Sequence, residues 1–134
     1  MRFSAKEQCG LRAMVEFGLP HSRGVISLRD VSRAQGISVA YLEQIVAPLR
    51  QTGLLRSVRG AQGGYMLGRP SEEITVGDVL RALGGALVPV TCLAEGGCQR
   101  ENSCHTRAVW QTVQDKLSET LDSITLADLC RGDD

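Results

Sequence analysis

Two short amphipathic segments joined by a tight turn that contains a glycine constrain the fold of this chain more than any other feature. Ser27 and Ser38 each occupy a helix N-cap position, and Gly36 stands where a left-handed residue would close the first helix. Two helices joined by so short a turn form the helix-turn-helix pattern. The second helix carries an apolar stripe at helical spacing, made of Leu42, Ile45, Val46 and Leu49.

A glycine-rich hairpin follows this pair of helices. Residues 55–58 and 65–67 alternate like strands, and the six residues between 59 and 64 include three glycines. The glycines match neither a P-loop nor a GxGxxG dinucleotide pattern, and no βαβ context surrounds them. The sequence therefore predicts a two-stranded wing, with Arg56 and Arg59 able to reach phosphates or a minor groove.

The charge distribution favours a polyanionic partner for the same half of the chain. The net charge is zero, yet residues 1–70 carry ten basic and four acidic side chains, whereas residues 71–134 carry five and eleven. Thirteen of the fifteen basic residues are arginine, which suits phosphates and guanine edges. Double-stranded DNA is the partner that this asymmetry indicates.

Further capping signals divide the chain into three parts. A capping box of Ser4 and Glu7 predicts a helix over residues 5–18, and Thr75 predicts a fourth helix that Gly84 ends. Residues 86–103 show no periodicity. We therefore expect a mainly α-helical winged helix-turn-helix domain over residues 1–84, a loop over 85–104, and a C-terminal helical segment over 105–134.

The C-terminal segment predicts a long helix from Ser103 to about Leu121. Its narrow apolar stripe has spacings of three and four residues, and it consists of Trp110, Val113, Leu117, Leu121 and Ile124. Such a stripe is typical of a helix that pairs with another helix. We expect a homodimer contact here. The alternative is an ordinary helix packed on its own domain. Thr125 caps a last short turn.

Three cysteines cluster in the central loop. Cys92, Cys98 and Cys104 are each separated by five residues, and Gly96 and Gly97 lie between the first two. This spacing does not match the paired cysteines of zinc fingers. Soft thiolates favour zinc, copper(I) or an iron–sulfur cluster. Three free thiols, or one disulfide with a spare thiol, are the alternative reading. Cys9 and Cys130 lie far from this group and are expected to be small packing residues.

Three thiolates leave a fourth position open. His105 is adjacent to Cys104 and supplies a nitrogen ligand. Glu7, or the weaker donor Gln8, could approach from the first helix, and an exogenous thiol or water could also serve.

Taken together, these motifs resemble the IscR-like family of bacterial winged-helix regulators, which includes nitric-oxide sensors (NsrR) and cysteine regulators (CymR). The resemblance covers nearly the whole chain. Its carriers are Gly36-Ile37-Ser38, Tyr41-Leu42-Glu43-Gln44, Val58-Arg59-Gly60, Gly63-Gly64-Tyr65, Leu67-Gly68, Gly96-Gly97-Cys98, Ala108-x-Trp110 and Ile124-Thr125-Leu126.

The resemblance implies how DNA would be read and how the chain would assemble. It implies a homodimer paired through the long helix, with the helix after Gly36 in the major groove and the wing alongside. The DNA-reading positions that it transfers to this chain are Ser38, Tyr41, Glu43, Gln44 and Arg59. Two-fold symmetry further implies a roughly palindromic operator.

The resemblance also implies an iron–sulfur cluster, with one departure. In IscR itself a [2Fe–2S] cluster is held by three cysteines and a histidine three residues after the third, and here Arg107 occupies that position. In nitric-oxide-sensing relatives a carboxylate from the partner's first helix completes a [4Fe–4S] cluster, and here the matching stretch is Glu7-Gln8-Cys9. We favour His105 as the replacement, with Glu7 as the alternative, and [2Fe–2S] over [4Fe–4S].

The chain is thus expected to be a cytoplasmic, cluster-dependent transcriptional regulator. A thiol-redox or cysteine-responsive regulator of the same fold without a stable cluster is the alternative. An electron-transfer or cluster-carrier protein would leave the basic half and the wing unexplained. We expect no enzymatic activity, since no nucleophile–base pair has supporting context, and no membrane span, since no apolar run is long enough.

Overall fold

The computed structural model describes residues 3–19, 24–61, 63–84 and 105–131. The elements in chain order are α1 (Ala5–Gly18), α2 (Leu28–Gln35), α3 (Val39–Gln51), β1 (Leu55–Val58), β2 (Gly64–Leu67), a 3-10 turn (Ser71–Glu73), α4 (Val76–Gly84), α5 (Arg107–Asp122) and α6 (Leu126–Cys130). The mainly α-helical class, the helix-turn-helix and the two-stranded wing predicted from the sequence are confirmed.

Side-chain caps explain where most helices begin. Ser4 Oγ accepts a hydrogen bond from the Glu7 amide at 3.1 Å, and Glu7 Oε1 accepts one from the Ser4 amide at 2.7 Å, so the predicted capping box of α1 is present. Ser27 and Ser38 cap α2 and α3 with their side-chain oxygens, which accept from the amides of Asp30 and Tyr41. Gly36 closes α2 with a φ of 68°, in the left-handed region that favours glycine.

Helix α1 is the centre of the fold. It contacts α2, α3, α4, α6 and β2. Its buried residues Met14 and Phe17 join the apolar stripe of α3 in one core, which also takes in Leu54 and Leu55 at the start of the wing. Because α3 commits one face to this core, its opposite face is left for solvent or a partner.

The wing is tied back to the helix-turn-helix. Strands β1 and β2 pair antiparallel, with Leu55 opposite Leu67 and Val58 opposite Gly64. An isolated bridge joins Tyr65 to Ile26, just before α2, through main-chain hydrogen bonds of 2.9 and 3.0 Å. A Cβ at Gly64 would overlap the Ile26 carbonyl oxygen, so this close approach requires glycine.

Helix α5 differs from the prediction at its start. It begins at Arg107, because His105 and Thr106 form a turn and Thr106 makes no side-chain capping bond. The prediction that the helix starts at Ser103 placed residues 105–106 inside it, and this is wrong, because they form a turn. Ser103 itself lies outside the described residues. At the other end, Leu121 and Ile124 pack on Val76 and Leu80 of α4.

Candidate nucleic-acid interface and metal ligands

The outer face of α3 gathers the predicted DNA-reading residues. Ser38, Glu43 and Gln44 are exposed, and Ser38 Oγ accepts a hydrogen bond from the Tyr41 amide at 3.1 Å. Tyr41 differs from these three, because its side chain is half-buried and packs against the core. The helix therefore exposes the carboxylate of Glu43 and the amide of Gln44 away from its apolar stripe, and the hydroxyl of Ser38 at its N-cap. Such groups can read base edges in a major groove.

The wing presents two arginines on the same half of the molecule. Arg56 is exposed on β1, where its Nη2 donates to Met66 Sδ on β2 at 3.3 Å. Arg59 is exposed at the tip, which turns at Gly60 with a φ of 117° and closes with a 3.0 Å bond from the Gly63 amide to the Gly60 carbonyl. A guanidinium at such a tip can reach phosphates or a minor groove.

The candidate metal ligands are only partly within the described residues. Cys92, Cys98 and Cys104 lie outside them. In the ranges that the structure covers, no group of three or more His, Cys, Asp or Glu side chains forms a metal site. A thiolate-rich donor set of this kind fits an iron–sulfur cluster on chemical grounds.

The two candidates for the fourth ligand have different surroundings. His105 is exposed in the turn that precedes α5. Glu7 is half-buried, and its Oε1 serves the capping box of α1. A Cβ at Gly84 would overlap Glu7 Oε2, so this carboxylate lies against the last residue of α4, directly before residues 85–104. Arg107, at the IscR histidine position, is half-buried at the first turn of α5.

The two cysteines expected to be packing residues are confirmed as partly buried side chains against the core. Burial, together with the nearby charge of Glu16, raises the pKa of the Cys130 thiol. Its Sγ donates to the Val15 carbonyl at 3.5 Å. A thiol in such surroundings is a poor nucleophile and a poor metal ligand.

The apolar stripe of α5 divides into two parts. Leu121 and Ile124 pack on α4, and Leu117 is half-buried. Further toward the helix N-terminus, Trp110 and Val113 retain 36% and 39% of their surface exposed. Ala108, Val109, Thr112 and Val113 line an open groove there. The C-terminal part of the stripe therefore packs on its own domain, as the alternative prediction had it. The N-terminal part is uncovered in the protomer.

An ion-pair network, which sequence reasoning missed, joins α5 to α4. Arg81 Nη2 donates to both carboxylate oxygens of Asp122 at 2.6 and 2.5 Å, and Asp78 and Arg69 extend the network. A Cβ at Gly77 would overlap Asp122 Oδ1, so the glycine permits the close approach. Only the i,i+3 pair of Asp78 and Arg81 was visible as a local signal.

No helix in the described part of the chain has the length and apolar character needed to cross a bilayer.

Comparisons with known proteins agree on one kind of protein. The family model Rrf2, described as an iron-dependent transcriptional regulator, matches residues 3–132. The HTH-type transcriptional regulator IscR of Escherichia coli (strain K12 / DH10B) is 40% identical over 129 residues, which cover 96% of this chain and 80% of that protein. The IscR of Cronobacter sakazakii gives the same values.

Solved structures extend the likeness to a second regulator. CymR, the global cysteine regulator of B. subtilis, superposes with a TM-score of 0.82 at 39% identity and covers 100% of this chain and 99% of its own. The IscR of T. potens superposes with a TM-score of 0.79 at 40% identity, over 98% of this chain and 87% of its own.

Proposed function

The chain belongs to the Rrf2 family of transcriptional regulators, and we propose that it acts as a homodimer whose binding to specific DNA sites is controlled by an iron–sulfur cluster held by Cys92, Cys98 and Cys104. Family membership makes it a DNA-binding regulator rather than an enzyme. The dimer, the cluster, its ligands and the DNA-reading residues are the proposal, and so is a cytoplasmic location.

The exposed polar face of α3 beside the wing is the observation that carries the proposal. Glu43 can accept from a cytosine amine, and Gln44 can pair with an adenine edge. Ser38 and Tyr41 sit at the N-terminus of the helix, where base and backbone contacts concentrate. On the wing, Arg56 and Arg59 supply contacts to phosphates or a minor groove.

The uncovered half of the α5 stripe supports a second copy of the chain as its occupant. A helix with no buried residue in the protomer, yet with Trp110, Val109 and Val113 exposed on it, has apolar surface left for another helix. In a two-fold dimer the same surface meets itself. Two recognition helices related in this way read a roughly palindromic operator.

The position of the cysteine segment suggests how the cluster would act. Residues 85–104 connect α4, the last helix of the DNA-binding half, to α5. Ligation there acts on the junction between the two, and so on the separation of the paired recognition helices. When bound, the cluster would supply the response to iron, oxygen or nitric oxide. The family description as iron-dependent supports this assignment.

For the fourth ligand we propose His105, with Glu7 as the alternative. Imidazole is the closer match to the histidine that Arg107 replaces, and the contact of Glu7 with Gly84 supports the carboxylate. Glu7→Gln separates the two, because glutamine retains the capping acceptor but is a poor iron ligand. We expect His105→Ala to give a labile cluster with a shifted spectrum, and Glu7→Gln to leave the spectrum unchanged. The reverse result would favour [4Fe–4S] over [2Fe–2S].

Anaerobic purification followed by absorption and Mössbauer spectroscopy tests the cluster itself. We expect a coloured protein whose cluster is lost in Cys92→Ala, Cys98→Ala and Cys104→Ala. Cys130→Ala is the matched control, because its thiol packs against the core, and it should keep the colour. A colourless protein that takes up no iron would refute the cluster.

A regulator that responds to thiol oxidation or cysteine supply is the second candidate, and the close superposition on CymR favours it. It predicts that operator binding changes on oxidation of the three cysteines in protein that contains no iron. A gel-shift assay with oxidised and reduced apoprotein distinguishes this candidate from the cluster-dependent one.

A further inference from the structure

A buried carboxylate in α1 has no role in the DNA-binding or metal chemistry considered above. Glu16 retains only 7% of its surface, and it is the one buried charged side chain among the residues that the structure covers. Its Oε1 accepts a hydrogen bond of 2.6 Å from Gln35 Nε2. A buried carboxylate costs free energy unless it is hydrogen-bonded, so losing this hydrogen bond would destabilise the folded protein.

Gln35 is also held from a second side. Arg12 Nε donates to Gln35 Oε1 at 3.0 Å, and Arg12 Nη2 donates to the Gln35 main-chain carbonyl. That carbonyl belongs to the last residue of α2, where the helix itself provides no partner. One turn of α1 thus binds the side chain and the backbone of Gln35, and we call these three residues the α1 clamp.

The α1 clamp acts directly beside the recognition helix. Only Gly36 and Ile37 separate Gln35 from Ser38, the N-cap of α3. Both are fixed, since Gly36 adopts a left-handed conformation with its amide bonded to the Ser32 carbonyl at 2.8 Å, and Ile37 is buried. With no flexible residue between them, the place of Gln35 determines where α3 begins.

The other contacts of α1 make it a firm support. Its length packs on α3, α4 and α6, and a Cβ at Gly10 would overlap the side chain of Leu83. An element held on several sides can fix another, whereas α2 is short and only Val31 within it is buried.

We propose that Arg12 and Glu16 are positioning residues for DNA recognition, which hold Gln35 so that the outer face of α3 meets base edges in register. The proposal rests on the proposed DNA-reading face of α3. It distinguishes specific from non-specific binding, because base contacts need register while phosphate contacts tolerate its loss.

A donor–acceptor exchange tests the proposal. Gln35→Glu sets two carboxylates against each other, and adding Glu16→Gln restores one donor and one acceptor with the wild-type net charge. We expect Gln35→Glu to weaken operator binding by about tenfold, as for the loss of a charge-assisted hydrogen bond. Non-specific binding should change by less than about threefold, and the double variant should recover operator binding.

Two further variants act as controls. Gln51→Glu adds the same charge at the exposed last residue of α3 and should leave the ratio of specific to non-specific affinity unchanged. Arg12→Lys alters an exposed side chain, so the variant should fold. The substitution keeps the positive charge but removes the guanidinium fork that binds Gln35 at two atoms. It should lower the specific affinity alone.

The measurements are operator and random-sequence affinities by fluorescence anisotropy, with the operator obtained by selection on the wild-type protein. Equal losses on both DNAs in Gln35→Glu, or no recovery in the double variant, would overturn the positioning role. So would unchanged operator affinity in both Gln35→Glu and Arg12→Lys. Selection that enriches no sequence on the wild-type protein would overturn the DNA-reading face and the clamp together.

Discussion

Val113→Asp should convert the protein to monomers with little effect on the fold of each protomer. Val113 lies on α5 with 39% of its surface exposed, and it lines the open groove with Ala108 and Val109. An aspartate there can remain in water as long as the chain is alone. Leu117 is a less clean choice, since it is half-buried in the protomer and its replacement would also disturb intramolecular packing.

The magnitude follows from the exposed fraction and the symmetry. Full burial of a valine side chain stabilises by about 1.5–2 kcal/mol, so the exposed 39% leaves roughly 0.7 kcal/mol for each copy to gain in a dimer. An isologous interface contains the residue twice. Desolvating an unpaired carboxylate costs more than the roughly 1–3 kcal/mol of a neutral polar group, and the dimer buries two of them. The dimer should therefore weaken by at least about 3 kcal/mol, or more than 100-fold in Kd.

Sedimentation equilibrium measures this directly, with operator affinity as a second readout that should fall in parallel. Gln111→Glu is the matched control. It adds a negative charge two residues away, on the opposite side of α5, and it should leave the dimer intact. If Val113→Asp sediments as the same dimer as the wild type, α5 is not the interface and the reasoning from its uncovered stripe is wrong.

Four further outcomes are expected. The logarithm of the operator-binding constant should fall with the logarithm of salt concentration at a slope near −5 if about six phosphates are neutralised. Arg59→Ala, at the exposed wing tip, should reduce the free energy of operator binding by about 1–3 kcal/mol and leave that slope nearly unchanged if the arginine reads a base. A double-mutant cycle of Arg81→Met and Asp122→Asn, followed by thermal unfolding, should give a coupling free energy of about 0.5–1 kcal/mol. This coupling should fall in 1 M salt, because the two side chains are 38% and 43% exposed. A coupling of zero at low salt would contradict the role of this ion pair. Because burial raises the pKa of Cys130, iodoacetamide should alkylate its thiol at pH 8 more slowly in the folded protein than in urea. Peptide mapping measures the two rates, and equal rates would contradict the burial of this thiol.

The local elements of this protein were readable from the sequence because their signals lie within one turn of each other. Caps at Ser4 and Ser38 set the starts of α1 and α3, and Gly36 set the end of α2. Alternation over residues 55–58 placed β1 correctly. The exposed positions of Glu43 and Gln44 followed from the apolar stripe of the same helix.

The start of α5 was misplaced because no capping side chain marks it. The sequence analysis began the helix at Ser103, but His105 and Thr106 form a turn, Thr106 makes no side-chain capping bond, and the helix begins at Arg107. The metal-ligand prediction stays a prediction, since its three cysteines fall outside the described residues and only His105 and Glu7 fall within them.

Long-range partnerships were decided only by the tertiary structure. Arg81 and Asp122 are 41 residues apart, and Arg12 and Gln35 are 23 apart, so no periodicity or cap in the sequence pairs them. The stripe of α5 is uniform in sequence, but α4 covers only its C-terminal part and leaves Trp110 open. Hydrogen-bond capping and helical spacing act over three or four residues and are written into the chain itself, whereas burial and ion pairing depend on which distant element arrives alongside.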